Sequence, residues 1–416
     1  MTSQQVLLAR QPIYDRGLEI AAYELLYRPI DQLVAGTISG DQATSEVIIN
    51  AFTELGLGIV TDGKRAFINF TEGWFQNPPP FNNNLIVMEI LEDTEVTDSL
   101  VSSAIKLKEQ GYAIALDDFV YEERWEKLLP YIDIVKVDLQ KHTQKELIQT
   151  TKKLSAYHCE LLAEKVETYE ELLYCKGLGF TLFQGFFLSK PQNIKGKVIP
   201  TSKLVVMQLL QELQDPDAKI SDIESWIAKD PSLTYKILRI VNSPAYRVRN
   251  KIESLQQAIT ILGLTQIQQW ASIIALSQLA DKPNALVLTS MVRAKMCELI
   301  ALRVQLNNAE SYFILGLFST LDAFMDRSLD EILTSLPLSK DLNDALLKHS
   351  GIYGAILHSV ICHEQALWGD IRWPQLEPLK VTPKIIEEAY LHSVEWAQKS
   401  FSEIIDTPTA SPSNKY

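Results

Sequence analysis

Seven polar side chains in the first half of the chain follow short apolar runs, each near the end of a predicted β-strand. The apolar residues 85–88 are followed by Glu89, and residues 112–116 by the pair Asp117-Asp118. Carboxylate and amide oxygens are ligands that Mg²⁺ and Mn²⁺ prefer, and two such ions close together can activate a water for attack on phosphorus. The residue types therefore predict a divalent-metal site with phosphoester chemistry. The polar positions are Glu24, Asn69, Glu89, Asp117, Lys136, Glu164 and Gln184.

These side chains can meet only if the strands before them lie side by side. Short apolar runs that alternate with longer amphipathic segments are typical of βα units and a parallel sheet. In a closed (β/α)8 barrel the downstream ends of the strands open onto one face, where active sites are built. An α/β TIM-like barrel would therefore gather the seven residues, with Asp118 placed to bridge a second ion and Arg28 placed to bind a phosphate.

Each position also has an ordinary structural interpretation. A single acid after a strand is more often the N-cap of the following helix than a metal ligand. Asp118 could equally be a solvated turn residue. These interpretations explain single positions, whereas seven together favour a shared polar site.

Length, composition and charge limit the classes of protein. A chain of 416 residues with 46% apolar residues suits two domains with buried cores. Its net charge of −13 argues against general nucleic-acid binding, which needs clustered Lys and Arg. No apolar run approaches the ~20 residues of a membrane helix, and the first residues lack a secretory signal. The four cysteines are widely spaced, which predicts reduced thiols and a cytoplasmic location.

The hydrophobic period changes from strand-like to helical near residue 202. Asp230-Pro231 is a helix start, with Asp as N-cap and Pro at the first position. A later helix is expected to close at Gly263, with Thr265 capping the next. The predicted organisation is a barrel over residues 1–191, a linker over 192–202, a helical domain over 203–401 and a disordered tail over 402–416.

Motifs in the first half resemble the EAL domain family over roughly residues 5–191. The resemblance implies a TIM-like barrel that hydrolyses cyclic di-GMP to linear pGpG with two divalent metals, Mg²⁺ or Mn²⁺. The motifs are Gln11-Pro12-Ile13, Tyr23-Glu24-Leu25-Leu26-Tyr27-Arg28, Ile68-Asn69-Phe70, Glu89-Ile90-Leu91-Glu92, Leu116-Asp117-Asp118-Phe119, Val135-Lys136-Val137-Asp138, Ala163-Glu164-Lys165-Val166-Glu167 and Phe183-Gln184-Gly185-Phe186.

The same resemblance implies a role for each matching residue. Lys136 matches the catalytic lysine, and Glu167 would brace a neighbouring loop. Asp118 and Glu164 match second-metal or supporting positions with a catalytic role. The implied metal ligands are Glu24, Asn69, Glu89 and Asp117, and the implied ligand-contacting residues are Gln11, Arg28 and Gln184.

The name-giving triplet reads Glu24-Leu25-Leu26, which keeps the ligand but enlarges the middle residue, and two further segments depart more strongly from the family pattern. After Asp118, active members continue with a glycine-rich loop that supports the metals and often a dimer, whereas this chain reads Phe119-Val120-Tyr121-Glu122-Glu123-Arg124-Trp125. The glycine that usually follows the Glu164 position is Lys165. Because Val and Tyr lack the backbone freedom of Gly, the loop is expected to take another shape. Metal affinity commonly depends on such supporting groups.

The region from about residue 203 to 396 resembles the HDOD domain, a helical relative of HD-type phosphohydrolases. Where an HD enzyme needs paired His and Asp, this chain has Ser319-Thr320, and Asp322 is the one remaining ligand type there. His349, His358 and His363 are interpreted as ordinary surface or core residues. This half is therefore expected to be a regulatory or protein-binding module. The motifs are residues 228–233, 240–246, 252–255 and 258–263.

Three functional hypotheses follow. The first is a bacterial signalling protein with a divergent EAL domain that binds cyclic di-GMP or a protein with little or no hydrolysis. The alternative is an active cyclic di-GMP phosphodiesterase that its HDOD half regulates. The third is a metal phosphoesterase with another substrate. The resemblance also leaves room for a homodimer.

Overall fold

The computed structural model describes residues 6–29, 57–78, 82–190, 201–215, 217–243, 246, 251–279 and 282–405. Most of the predicted linker and of the predicted tail lies outside these residues. The chain divides into two compact units. Unit 1 consists of Met1–Gln192 with the later segments Ile361–Ile371 and Thr382–Glu387, and unit 2 is the remainder. The predicted bounds of the helical domain stay a prediction.

Unit 1 is a closed barrel of eight strands in sequence order. Strands β2 to β8 are parallel, while β1 runs antiparallel to both of its neighbours. The predicted TIM-like barrel is therefore confirmed, with a reversed first strand as the difference. The strands are β1 (Val6–Tyr14), β2 (Ile20–Pro29), β3 (Arg65–Asn69), β4 (Ile86–Ile90), β5 (Ala113–Leu116), β6 (Ile134–Asp138), β7 (Glu160–Glu164) and β8 (Leu182–Gln184).

The reversal of β1 follows from the tight turn after it. The Asp15 carboxylate accepts hydrogen bonds from the backbone N–H groups of Gly17 and Glu19, at 2.8 and 3.0 Å. A connection this short can join only antiparallel strands. The β1–β2 pairing continues from Tyr14 back to Val6, whereas β8 pairs with only the last two residues of β1. The earlier part of β1 therefore has an outer edge that β8 does not cover.

The helices of unit 1 connect the strands, and two of them begin with a complete capping box. Thr143 and Thr168 each start a helix with a reciprocal capping box, completed by Glu146 and Glu171. The α-helices are α1 (Leu57–Val60), α2 (Glu72–Gln76), α3 (Asp98–Glu109), α4 (Gln144–Leu154) and α5 (Tyr169–Gly177). Short 3₁₀ turns cover Asn83–Leu85, Glu123–Lys127, Leu129–Tyr131, Leu139–Lys141 and Phe187–Ser189.

The barrel interior contains a layer to which each of the first seven strands contributes one buried apolar side chain. Leu182 of β8 is partly buried and packs against this layer. Such layers fill the centre of a closed barrel. The layer forms the apolar floor beneath the side chains at the carboxyl ends of the strands. The seven residues are Ile13, Ala22, Phe67, Val87, Ala115, Ile134 and Leu162.

Unit 2 is helical in its described residues. The Asp230 carboxylate caps α8 through the N–H groups of Ser232 and Leu233, as predicted. The prediction that Thr265 caps a helix is wrong, because α10 already begins at Leu264 and Gly263, with φ of +87°, occupies the junction. The helices, two of which extend into unit 1, are α6 (Thr201–Leu213), α7 (Ile220–Ala228), α8 (Pro231–Val241), α9 (Leu255–Leu262), α10 (Leu264–Ser277), α11 (Asn284–Arg303), α12 (Ala309–Phe318), α13 (Leu321–Met325), α14 (Leu329–Leu333), α15 (Lys340–Lys348), α16 (Gly351–Glu364), α17 (Trp373–Leu376) and α18 (Pro383–Ile405), with 3₁₀ turns at Trp368–Asp370 and Glu377–Leu379.

Within the described part of the chain, no helix is both long and apolar enough to cross a membrane. All four cysteines are free thiols, and three of them are buried.

Candidate metal centre

The polar residues of the barrel lie on the same inward face as the apolar layer. On β4, for example, Glu89 is two positions after Val87, and on β2 Glu24 is two positions after Ala22. Because side chains alternate between the faces of a strand, an offset of two keeps the inward direction and moves the group one layer along the barrel. The same offset applies to Gln11, Asn69, Asp117, Lys136, Glu164 and Gln184, with the opposite sign on the reversed β1.

This offset brings the predicted site residues together. Glu24, Glu89 and Asp117 each offer a carboxylate oxygen, and these three oxygens lie within 4.8 Å of one another. Asp117 lies just beyond β5, and its N–H extends the ladder by donating to the carbonyl of Ile90 at 2.9 Å. Lys136 is the third residue of the five-residue β6, whereas the sequence pattern placed it after the strand.

The ammonium of Lys136 lies at the centre of the cluster. Its Nζ is 3.1 Å from Glu24 Oε1, 2.7 Å from Glu89 Oε1, 2.7 Å from Asp117 Oδ1 and 3.0 Å from Glu164 Oε1. The Lys136 side chain is fully buried. One cation among four carboxylates leaves an excess of negative charge in a site where water screens it poorly.

The pKa values in the cluster reflect burial and crowding. Burial by itself would lower the pKa of Lys136, but the four carboxylates raise it well above its ordinary value. Burial raises the pKa of Glu89 well above 4.5 and also raises the pKa of Asp117, while Lys136 opposes both shifts. Burial likewise raises the pKa of Glu164 to about 8. Glu89, Asp117 and Glu164 thus hold protons more tightly than exposed acids do.

Several buried oxygens have no hydrogen-bond donor among the described residues. They are both carboxylate oxygens of Glu89, one of Glu164 and the amide oxygen of Asn69. Glu89 Oε1 is ion-paired with Lys136 at 2.7 Å but lacks hydrogen-bond geometry. Unmet buried oxygens are costly, and a hard divalent cation is the partner that such a donor set suits. The residues therefore fit a divalent metal, with Glu24, Glu89 and Asp117 best placed to hold it.

Asp118 does not join the three converging carboxylates. Its Oδ2 instead lies 2.9 Å from Lys141 Nζ, in a half-exposed ion pair. Lys165, in the position where the family has Gly, pairs with the buried Asp138 at 2.5 Å. Asp118 and Lys165 have φ of +46° and +54°. This left-handed conformation costs a non-glycine residue roughly 1 kcal/mol, which explains why glycine is favourable at the Lys165 position, while Asp is among the few other residues that adopt it.

The loop after Asp118 is held by aromatic packing in place of glycines. Phe119 is buried, its N–H donates to the carbonyl of Lys136 at 2.9 Å, and its ring contacts Tyr121 and Trp125. The Tyr121 hydroxyl donates to Glu126 at 2.6 Å. The loop thus attaches directly to the strand that carries the central lysine.

Two of the three predicted ligand-contacting residues, Gln11 and Gln184, lie beside the carboxylates. The Gln184 amide donates to Gln11 Oε1 at 2.8 Å and to Glu24 Oε2 at 2.5 Å. Arg28 lies further along β2 and is half-buried. Glu167 accepts from Gln140 and pairs with Lys190, so it joins two loops away from the carboxylates.

Asp138 and Lys141 take part in the surroundings of the site without having been predicted from the sequence, whereas Lys165 is the departure from the family pattern that the sequence places near the site. The alternation that identified Lys136 also places Asp138 on the inward face of β6. Lys141 follows β6 and could have been recognised only as a cation near an acidic cluster.

Unit 2 has a different set of polar groups where an HD enzyme would hold metal. Arg293 donates to Ser319 Oγ at 2.9 Å, and the hydroxyls of Ser290 and Thr320 lie 2.8 Å apart. Asp322 accepts from the N–H of Ala323, and burial raises its pKa despite nearby cations. The rings of His349 and His358 are 5.5 Å apart, while His363 lies in unit 1.

Comparisons with known proteins identify both halves. The HDOD domain model matches residues 199–329. The uncharacterized protein YuxH of Bacillus subtilis is 39% identical over 94% of this chain and 98% of its own length. The cyclic di-GMP phosphodiesterase CdgJ of Vibrio cholerae is 33% identical over 95% of this chain and 93% of its own length. Among solved structures, the manganese and cyclic di-GMP complex of Klebsiella pneumoniae BlrP1 is 20% identical, with a TM-score of 0.36, over 45% of this chain and 56% of that chain.

The two curated relatives match nearly end to end, and the HDOD match lies in the helical half. The resemblance found in the sequence is thereby confirmed: the chain belongs to the EAL–HDOD family of bacterial signal-transduction proteins.

Proposed function

We propose that this protein is a divalent-cation-dependent phosphodiesterase that hydrolyses cyclic di-GMP to linear pGpG at the carboxylate cluster of the barrel. The departures after Asp118 and Glu164 favour a binding role with weak or no hydrolysis. We give more weight to the cluster itself, because a non-hydrolytic receptor has no need of a central lysine among four acids.

The observation that carries the proposal is the convergence of Glu24, Glu89 and Asp117 around a fully buried Lys136. Lys136 neutralises only part of the negative charge of the four carboxylates, so keeping them together is destabilising without a bound divalent cation. The arrangement is therefore better explained by function than by stability. A relative that matches nearly end to end carries the name cyclic di-GMP phosphodiesterase, which supports the same choice.

The chain's own residues supply positioning and charge. The metal ions, Mg²⁺ or Mn²⁺, would activate a water and neutralise phosphate charge when bound. Glu24, Glu89, Asp117 and Asn69 would hold them. Lys136 would stabilise the negative charge on the phosphoryl oxygens as the water oxygen bonds to phosphorus and the P–O3′ ester bond breaks. The proton released by the water ends on the leaving 3′-oxygen. Gln11, Arg28 and Gln184 would hold the dinucleotide.

The helical half fits a regulatory or protein-binding role. Ser319 and Thr320 occupy the His-Asp positions, and their hydroxyls hydrogen-bond within the unit. This gives the half no evident metal chemistry among its described residues. A protein partner is therefore the expected ligand of this half.

The test is turnover of cyclic di-GMP by the purified full-length protein with Mn²⁺ or Mg²⁺, followed by chromatography of the products. We expect pGpG to form, and Glu24→Ala to reduce turnover by more than about 100-fold, since even outer-shell partners of a metal typically contribute 10- to 100-fold. The matched control is Glu19→Ala, which removes an exposed carboxylate in the turn before β2.

Calorimetry with Ca²⁺ in place of Mg²⁺ separates binding from turnover. Binding without hydrolysis under any metal would support the receptor hypothesis in place of an enzyme. Hydrolysis that survives in Glu24→Ala would contradict the assignment of this cluster.

A further inference from the structure

A short segment near the end of the chain lies against the barrel of unit 1. Residues Ile361–Ile371, here called the cap segment, and residues Thr382–Glu387 both belong to this unit, although more than 300 positions separate them from β1. All of these residues are described, and they contact β1 through hydrogen bonds of good geometry. The contact of His363 is buried, and the other two contacts with β1 are partly buried.

Leu8 of β1 anchors the cap segment through both of its backbone polar groups. Its N–H donates to Glu387 Oε2 at 2.9 Å, and its carbonyl lies 3.0 Å from His363 Nε2. Trp368 Nε1 donates to His363 Nδ1 at 3.2 Å. Because the indole is only a donor and the carbonyl only an acceptor, His363 is the neutral tautomer with its proton on Nε2. Burial lowers its pKa to about 4, which agrees with a neutral ring.

The anchor satisfies an edge that the barrel leaves open. β8 pairs with β1 only at Ile13 and Tyr14, so among the described strands none borders the outer edge of β1 at Leu8. Unpaired backbone groups on a buried edge are costly. The side chains of His363 and Glu387 take the place of the missing strand, which makes the contact a built feature of the barrel.

From this anchor, the cap segment reaches the residues expected to bind ligand. Gln11 Nε2 donates to the carbonyl of Gln365 at 3.3 Å. Gln11 is in turn linked through Gln184 to Glu24 of the carboxylate cluster. A continuous chain of hydrogen bonds thus connects the cap segment to the candidate metal centre.

The cap segment also approaches Arg28. A Cβ atom added at Gly369 would lie 3.9 Å from Arg28 Nη1, in ordinary van der Waals contact. A backbone carbonyl held by Gln11 presents the same kind of acceptor as a phosphate oxygen. Two of the three groups expected to hold the dinucleotide, Gln11 and Arg28, are therefore engaged by, or lie against, the chain's own backbone.

We propose that the cap segment is an autoinhibitory element that competes with cyclic di-GMP for Gln11 and Arg28. This inference rests on the proposed function of the barrel site. The two anchors lie in the last turn of α16 and the first turns of α18, and the remaining turns of both helices belong to unit 2. A protein partner that shifts either helix would release the cap segment and open the site.

The first experiment is hydrogen exchange on the full-length protein with Ca²⁺, with and without cyclic di-GMP. We expect the ligand to increase exchange in peptides covering residues 361–371, because binding displaces the segment. Ligand-induced protection of these peptides would mean that the segment is a lid that completes the site, which would overturn the proposal. This measurement needs no variant.

The second experiment is calorimetry of cyclic di-GMP binding to anchor variants. Glu387→Ala and His363→Ala are expected to tighten Kd by about tenfold, which corresponds to about 1.4 kcal/mol. The matched control is Glu388→Ala, the next residue of α18, which pairs with Arg303. Gly369→Asp, which places a carboxylate beside Arg28, is expected to weaken Kd about tenfold. Gly369→Ala adds only the methyl group and should leave Kd unchanged.

The outcomes separate this inference from the proposed function. If the wild type binds and the anchor variants bind with the same Kd, autoinhibition is refuted while the barrel site stands. If neither the wild type nor Glu387→Ala binds, both proposals fail.

Discussion

The two units differ in how their buried polar clusters are completed. The barrel gathers four carboxylates around Lys136 and leaves oxygens of Glu89 without a donor among the described residues. Unit 2 has hydroxyls instead, and Ser319 and Thr320 are each hydrogen-bonded to neighbouring groups. The barrel cluster has an excess of negative charge that a divalent cation would neutralise. The second is satisfied by its own side chains.

Under the proposed function, this difference separates a site kept for binding from a cluster kept for packing. A buried charge without full compensation destabilises a fold, so it persists where a ligand completes it. A buried hydroxyl network with all partners present stabilises modestly and needs no further partner. The barrel is thus proposed as the reactive half of the chain, and the hydroxyl cluster of unit 2 as structural.

The largest effect is expected from replacing Lys136, and it tests whether the barrel cluster depends on its central charge more than a surface ion pair does. Lys136→Met removes the one cation among four buried carboxylates, and we expect the metal-free protein to lose about 3–5 kcal/mol of unfolding free energy. Lys141→Met, which removes a half-exposed partner of Asp118, should cost less than about 1 kcal/mol. Urea denaturation in EDTA measures both. Equal losses of unfolding free energy in the two variants would mean that the central charge of the barrel cluster contributes no more to stability than a surface ion pair.

A second prediction uses pH. The pKa of Glu164 is raised from 4.5 to about 8, so its neutral form is favoured in the folded state. The stability this provides is complete below about pH 4.5 and is lost as the pH rises through about 8. The melting temperature of the metal-free protein should therefore fall between pH 5 and 9, and less steeply in Glu164→Gln.

The matched control for this pH dependence is Glu146→Gln. The pKa of exposed Glu146 is lowered by its hydrogen bonds from Thr143. Replacing the Glu146 carboxylate should change the stability at acid pH. The slope of the melting temperature between pH 5 and 9 should stay as in the wild type. An unchanged alkaline slope in Glu164→Gln would contradict the burial argument.

The smallest effect is expected in unit 2. Ser319→Ala deletes the acceptor of Arg293 and should reduce the unfolding free energy by about 1 kcal/mol. Cyclic di-GMP turnover should stay within twofold of the wild type. Ser402→Ala, at an exposed position of α18, is the control and should be neutral. A large loss of turnover in Ser319→Ala would show that this cluster acts on the barrel chemistry.

The barrel and its site are predictable because their signals are local. Each strand is marked by an apolar run, and the polar residue after it needs only the geometry of a closed barrel to find its neighbours. The apolar runs that precede Glu24, Glu89 and Asp117 are enough to identify these three residues from the sequence. The helix start at Asp230 is equally local, since cap and first turn are adjacent in sequence.

The features that escape prediction depend on distant or competing contacts. The reversed β1 depends on a five-residue turn whose two strands read alike in either direction. The side chain of Thr265 suits a helix cap, but Gly263 provides the junction by its backbone conformation. His363 has the sequence surroundings of an ordinary residue, because nothing near it in sequence indicates a bond to Leu8.

The two-residue offset between the apolar layer and the polar layer fixes both the direction and the layer of each inward side chain along every strand of the barrel. A single residue inserted in β4 before Val87 would turn the side chains of Val87 and Glu89 away from the barrel centre together, since neighbouring side chains point in opposite directions. An insertion of two would restore the direction but exchange the layers, placing an apolar group where an acid belongs. Insertions are therefore expected to be tolerated in the loops, which can vary in length without moving either layer. Within a strand, the apolar layer and the polar layer can only move together.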